Sequence, residues 1–235
     1  MGAVLEFAKA EPHRVAGGAR VAKILDAPAS REMEVAVIHL TAGSRFASTV
    51  PAGSDQYLFT LKGAARLDTG ADLPPQSWVI LAEGGAFRLT GGDAQVLSVI
   101  VPPPGAGRGG TGFSGGPKIM AVPELPVVDL PEEKKRRTYL ANHGIAGSER
   151  GHAMIVRYTG ETLTKKHHHP NAESLFMMLS GRVEFLVNGE KRVVGAGEAA
   201  FFPMNDSHGL KSADGKELSF LEFHIPGAFV TNYDE

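Results

Sequence analysis

The chain has no cysteine. That excludes a disulfide framework, a thiolate metal ligand and a cysteine nucleophile, and it fits a reducing compartment. The N-terminal stretch MGAVLEFAKAEPHRVAGG lacks a basic region followed by a long apolar core, and no apolar run approaches the roughly 18 residues of a membrane span. A soluble, cytoplasmic protein is therefore expected. Neither sign of charge is in large excess, since 24 Lys and Arg stand against 26 Asp and Glu. A net of −2 leaves no electrostatic footprint for nucleic acid or an anionic membrane, and no helix-turn-helix segment is visible. What is present is 235 residues, 43% of them hydrophobic, enough for one large all-β domain or two of ordinary size.

Most of the chain reads as short strands punctuated by glycine and proline, the pattern of an all-β sandwich or barrel. In the first half these are residues 34–41, 56–63, 64–69, 77–82, 86–91 and 95–102; in the second, 153–160, 174–181, 182–189, 191–197, 198–203, 208–213 and 217–226. The segment VNGEK at 187–191 is a hairpin signal, because Asn-Gly suits a two-residue turn. Residues 102–118, PPPGAGRGGTGFSGGPK, are too rich in Gly and Pro for regular structure. The division expected is thus 1–101, a linker at 102–125, and 126–235. The charge cluster PEEKKRR reads as a solvated turn or a single helical turn.

The chemistry concentrates in GETLTKKHHHPNAESLFMMLSG, residues 160–181. Alternation along an extended chain sends His167 and His169 to one side and His168 to the other. Imidazole suits a borderline divalent cation, and a third ligand must arrive from a separate piece of backbone. His208, in FFPMNDSHGL, fits that need. The run lies deep inside the chain, which argues against an expression tag.

Laying the halves over each other exposes an internal repeat: TAGSRFASTVPAGSDQYLFTLKGAARL aligns with YTGETLTKKHHHPNAESLFMMLSGRVEF. Gly43 pairs with Gly160, Gly63 with Gly181, and further on Ala82 with Pro203. The histidine positions then fall on Thr49, Pro51 and Phe87, none of which binds a metal through its side chain. Two copies of one β unit follow, with the first lacking the site.

These residues resemble the cupin superfamily, specifically the bicupins. Gly160, His167, His169, Glu173 and Gly181 follow the first cupin motif; Gly197, Pro203, Asn205 and His208 follow the second, with Asn205 where the family has glycine. The resemblance implies two tandem jelly-roll barrels and a divalent metal held by three histidines and usually one glutamate, iron(II) first, with manganese, nickel or zinc as alternatives. Counting forward from His169 makes Glu173 the carboxylate ligand, whereas counting back from Gly181 lands on Ser174. A slip of one residue would send the carboxylate to the opposite face and leave a three-histidine centre.

Open coordination positions make catalysis the expectation. The resemblance places dioxygenase chemistry on a small metabolite ahead of isomerase, lyase or hydrolase chemistry, and ahead of a non-catalytic cupin that binds a sugar or metabolite. Arg157 is a candidate partner for a substrate carboxylate, and His224 a candidate acid or base. The barrel wall is either Leu175, Met177 and Leu179 or Ser174, Phe176 and Met178, joined by Val183, Phe185 and Val187. His13, His39, His143 and His152 show no partner spacing. Exposed β edges invite a homodimer.

Overall fold

Runs of Val, Ile, Leu and Phe that alternate with polar residues bury one face of a strand, and paired strands then stack those faces into a core. The computed structural model follows this logic over residues 2–105 and 110–234. Residues 106–109 of the Gly/Pro-rich stretch lie outside the described residues.

The chain divides into two compact units. One contains residues 9–125 together with the short segment 146–150. Its antiparallel sheet runs, in spatial order, Lys118–Ala121, Ser77–Leu81, Asp55–Leu67, Ala86–Val101, Glu34–Leu40, Arg20–Leu25, His13–Arg14. Four of the expected strands are merged. Residues 56–63 and 64–69 lie in one strand broken by register shifts after Thr60 and Lys62, and 86–91 and 95–102 in another. The merging strand bends where Gly63 takes φ +67°, and an added Cβ there would stand 2.1 Å from the Asp93 carbonyl oxygen. Only glycine fits. The stretch expected to be linker instead supplies a strand, Lys118–Ala121, and a 3-10 turn, Val122–Glu124. Segment 146–150 is anchored in this unit by Arg150, whose guanidinium reaches buried Asp55 at 3.0 Å and Glu83 at 2.8 Å.

The other unit contains residues 2–8, 126–145 and 151–234. Its main antiparallel sheet runs Ala3–Glu6, Glu198–Phe202, Glu173–Ser180, Leu218–Ile225, His152–Tyr158, Lys135–Ala141, Val128–Leu130. A second sheet of Glu190–Gly195, Arg182–Val187 and Leu210–Ser212 supplies the facing half of the core. Phe176, Met178, Val183, Phe185, Val187 and Phe220 pack together there, which selects the Ser174, Phe176, Met178 face as the interior one. The Asn-Gly hairpin is present: Val187 pairs with Glu190, and Asn188 and Gly189 both have positive φ, 52° and 80°. The charge cluster is half correct, since Pro131–Glu133 is a single 3-10 turn but Lys135–Ala141 is a strand. The first strand, Ala3–Glu6, crosses to pair with Glu198–Phe202, so the N-terminus belongs to this unit and not to residues 9–125. No helix among the described residues is long and apolar enough to cross a membrane.

Candidate metal centre

Three histidines converge at one end of this second unit. His167 opens the two-residue strand His167–His168, and His208 lies opposite it in a reciprocal bridge: each backbone N–H donates to the other's carbonyl at 2.8 Å. That pair of bonds fixes the separation of the two ligand-bearing segments. His169 is held next to them by its own carbonyl, which accepts from the Asn205 N–H at 2.9 Å. Asn205 makes this turn with φ 64°, a left-handed conformation that asparagine tolerates, which explains how it replaces the family's glycine.

The ring nitrogens of His167, His169 and His208 lie within 4.8 Å of one another. Their tautomers are set from behind. Nδ1 of His167 donates to the Lys165 carbonyl at 2.8 Å, that of His169 to the Val230 carbonyl at 2.8 Å, and that of His208 to the Asp206 carbonyl at 2.9 Å. A carbonyl can only accept, so each ring carries a hydrogen on Nδ1, which in a neutral ring leaves Nε2 as the lone pair, the arrangement found behind metal-bound histidines. Nε2 of His169 and of His208 are both buried with no hydrogen-bond partner. Burial lowers the imidazole of His208 to about 3 and that of His169 to about 4, so both are neutral at pH 7. Two buried, unpaired lone pairs each cost about 1–3 kcal/mol, and a divalent ion at their focus removes that cost. The donor set fits a metal.

Glu173 does not join them. The strand enters its pairing with Glu173 opposite Ile225 and Ser174 opposite His224. Phe176 on the interior face lines the cavity, so alternation turns Glu173, with Leu175 and Met177, to the other side, where it is buried. Ser174 takes the interior place, and its Oγ lies 2.9 Å from Nδ1 of His224. The one-residue slip has occurred, and among the described residues the convergent group is the three histidines.

The other expected residues separate as well. His168 faces away from the centre and bonds Asp234 through Nδ1 at 2.8 Å. Arg157 points outward: its side chain is 53% exposed and pairs with Glu217 at 3.6 Å, so it cannot hold a substrate in the barrel. His224 is buried inside, with its ring centroid 4.6 Å from that of His169. Its Nε2 lies 2.8 Å from Glu222. Burial tends to raise the Glu222 carboxyl, but the hydrogen bond and charge of His224, with Lys135 and Arg137, outweigh it and hold the group below its usual range. The Glu222 carboxylate accepts from Nε2–H, and the Ser174 hydroxyl lies within hydrogen-bond distance of Nδ1 on the other side of the ring.

A cavity of about 480 Å³ opens from the three histidines between the sheets. Several of its residues were not anticipated from sequence. Lys135, Arg137 and Tyr139 line it from one strand, and Glu222 and His152 from two others. The usable signal was period two: Lys135, Arg137 and Tyr139 alternate with outward residues, as do His152, Met154, Val156 and Tyr158. The C-terminal segment covers the mouth, with Phe229 stacked on His224 at 4.0 Å and Asn232–Tyr233 paired to His167–His168.

The cupin domain family matches residues 154–224, which include all three convergent histidines, His167, His169 and His208, and also His224. No curated protein matches the sequence. Solved structures match almost the whole chain at low identity. The oxalate decarboxylase of Lactobacillus farciminis in its formate complex is 15% identical with a TM-score of 0.74, over 98% of this chain and 88% of that one. The Bacillus subtilis oxalate decarboxylase at pH 4.6 is 14% identical with a TM-score of 0.72, over 98% and 78%. A further Bacillus subtilis structure, described for its Mn(II) centres, is 15% identical with a TM-score of 0.71 over the same shares. Residues 154–224 thus match the cupin domain family, and the chain shares the all-β jelly-roll fold of these decarboxylases.

Proposed function

We propose that this protein is a metal-dependent enzyme acting on a small organic metabolite, with one divalent transition metal held by His167, His169 and His208. The observation that carries the reading is the convergence of three imidazoles, each keyed at Nδ1 to a carbonyl, with two Nε2 atoms buried and unpaired. Three neutral ligands leave about three positions of an octahedral ion for substrate or water. Iron(II) is the first choice and manganese the second. Such an ion would supply Lewis acidity and, in the case of iron, oxygen activation.

Dioxygenase chemistry is the primary proposal. The protein's own part is to bind the substrate in a cavity walled by both aromatic and polar side chains, to exclude water beneath Phe229, and to move a proton through His224. Glu222 holds the His224 ring by Nε2, and Ser174 completes the chain at Nδ1. A non-oxidative lyase is the second reading. It is favoured by the same proton path, which a carbon-centred intermediate needs for its quench, and by the likeness to decarboxylases in fold.

Elemental analysis of the protein as isolated should find about one metal per chain. Oxygen consumption by the iron-loaded protein across 2-oxo acids, diketones, thiols and catechol-like compounds then tests the primary proposal. Turnover without oxygen uptake would move the assignment to the lyase. Absence of metal in the wild type, with His167→Ala unchanged in stability, would overturn both.

A further inference from the structure

The strand Lys135–Ala141 brings two cations into the cavity, and nothing in the metal centre explains them. Lys135, Arg137 and Tyr139 point inward, while Arg136 between them points out and meets Asp129 at 3.6 Å. Lys135 is nearly buried, 12% exposed in its side chain, with Nζ 3.2 Å from Glu133 and 5.6 Å from the Tyr158 ring centroid. Arg137 is half-buried, and among the described residues it has no carboxylate at ion-pair distance. Its Nε is buried with no hydrogen-bond partner. A guanidinium drawn inside a barrel with an unpaired donor is costly unless something fills it.

The charge balance of the cavity points the same way. Lys135, Arg137 and Lys165 line it against two carboxylates, Glu133 and Glu222. Glu173 faces away, and among the described residues no carboxylate joins the three histidines to offset the charge of a bound ion. The enclosed site therefore carries an excess of positive charge that an anionic occupant would balance. An aromatic part of the wall comes from Phe176, Phe185, Phe220 and Phe229 with Tyr139 and Tyr158. About 480 Å³ is far more than a two-carbon acid needs.

We infer that the substrate is a carboxylic acid with an apolar, arene-sized body, whose carboxylate is bound by Arg137 with Lys135 while a second donor atom faces the three histidines. Arginine offers a planar fork matched to a carboxylate, and lysine adds a point charge. The inference deepens the proposed function, and only its second contact depends on the metal.

Phenylpyruvate and its methyl ester are suitable probes, since they differ in one negative charge and share the aromatic body. Calorimetric titration of both metal-free and Mn(II)-loaded protein should show the acid binding at least tenfold more tightly than the ester in each form. Arg137→Met should lower affinity for the acid at least tenfold, leave the ester unchanged and leave metal content unchanged; Arg137→Lys should restore part of the preference. Oxalate should bind more weakly than phenylpyruvate. Equal affinity for acid and ester in the wild type, a preference that survives Arg137→Met, or tighter binding of oxalate would overturn the inference. Should Arg137→Met not fold, Lys135→Met and the wild-type comparison of acid with ester give the same decision. An acid preference retained by a wild type that takes up no metal would sink the proposed function and leave this inference standing.

Discussion

Two regions of this molecule occupy corresponding positions in the repeat and are built from opposite materials. In the C-terminal unit the positions hold His167, His169 and His208; in the N-terminal unit they hold Thr49, Pro51 and Phe87. Phe87 is 3% exposed and packs in a cluster with Val50, Leu58, Val79 and Leu81, its ring 6.0 Å from that of Phe46. Burying such a ring contributes about 1.5–3 kcal/mol. The histidine version runs the other way: its two buried lone pairs together cost about 2–6 kcal/mol, a large share of the 5–15 kcal/mol by which a domain is usually stable. One unit spends this end of its fold on packing. The other leaves it polar, with a group of three histidines that could hold an ion. The glycines at the strand corners behave alike in both, since Gly63 and Gly181 each have positive φ, +67° and +72°, and each sits against backbone that would not admit a Cβ.

The comparison can be broken most directly by exchanging its two materials. His208→Ala should abolish stoichiometric metal uptake while barely lowering the stability of the metal-free protein, because it removes an unpaired nitrogen along with packing. Phe87→Ala should leave metal content intact and cost about 3–5 kcal/mol in the unit that carries it. Elemental analysis and denaturant unfolding of both variants test the contrast, and equal metal loss in the two would dissolve it.

Metal itself gives the next largest effect. With free ion at about 100 times its dissociation constant, binding should stabilise the folded protein by about 2.7 kcal/mol. Melting followed with and without a chelator checks this, and the gain should vanish in His167→Ala.

Acid titration sharpens the contrast further. Burial lowers His152 to about 4, His169 to about 4 and His208 to about 3, whereas the N-terminal unit has one lowered imidazole, His39, shifted by burial and by Arg20. A histidine lowered in the folded state takes up its proton earlier in the unfolded chain. Stability is therefore undiminished above about pH 6.5 and falls as the pH drops towards about 4. In metal-free protein, His152→Phe should flatten that fall more than His39→Phe does, as melting temperatures across this range would show.

The smallest effects concern the two residues whose side chains turn away from the cavity. Glu173→Gln should retain the full metal content, and loss of the metal would restore the carboxylate as a ligand. Arg157→Ala should change stability by no more than about 0.5 kcal/mol, since its partner Glu217 is equally solvated, and should leave substrate affinity untouched.

Much of this was legible in the chain as written. Local rules place the strands, the Asn188-Gly189 hairpin, and the two-sided distribution of His167, His168 and His169, because each depends only on a residue and its neighbours. The need for a third ligand on a separate piece of backbone pointed to His208, and the cupin resemblance placed it in the second motif. The rest was not legible for a shared reason. Whether Glu173 or Ser174 faces inward depends on how the strand Glu173–Ser180 enters its pairing with Leu218–Ile225, and a single residue of register reverses the answer. Arg157 faces out and Arg137 faces in for the same cause, and the polar cluster PEEKKRR disguised a strand as a turn. His152 has no motif spacing at all; it reaches the site because its strand lies between those of His224 and Tyr139.

Sequence by itself determined the all-β class and pointed to an internal repeat and to His167, His169 and His208 as candidate ligands, since these readings follow from residue type and period. Tertiary structure alone decided that Glu173 turns away from the three histidines, that two cations of one strand face the same cavity, and that the first strand, Ala3–Glu6, joins the C-terminal sheet. Those outcomes rest on register and on pairing between distant segments, which are fixed only when the sheets close on each other.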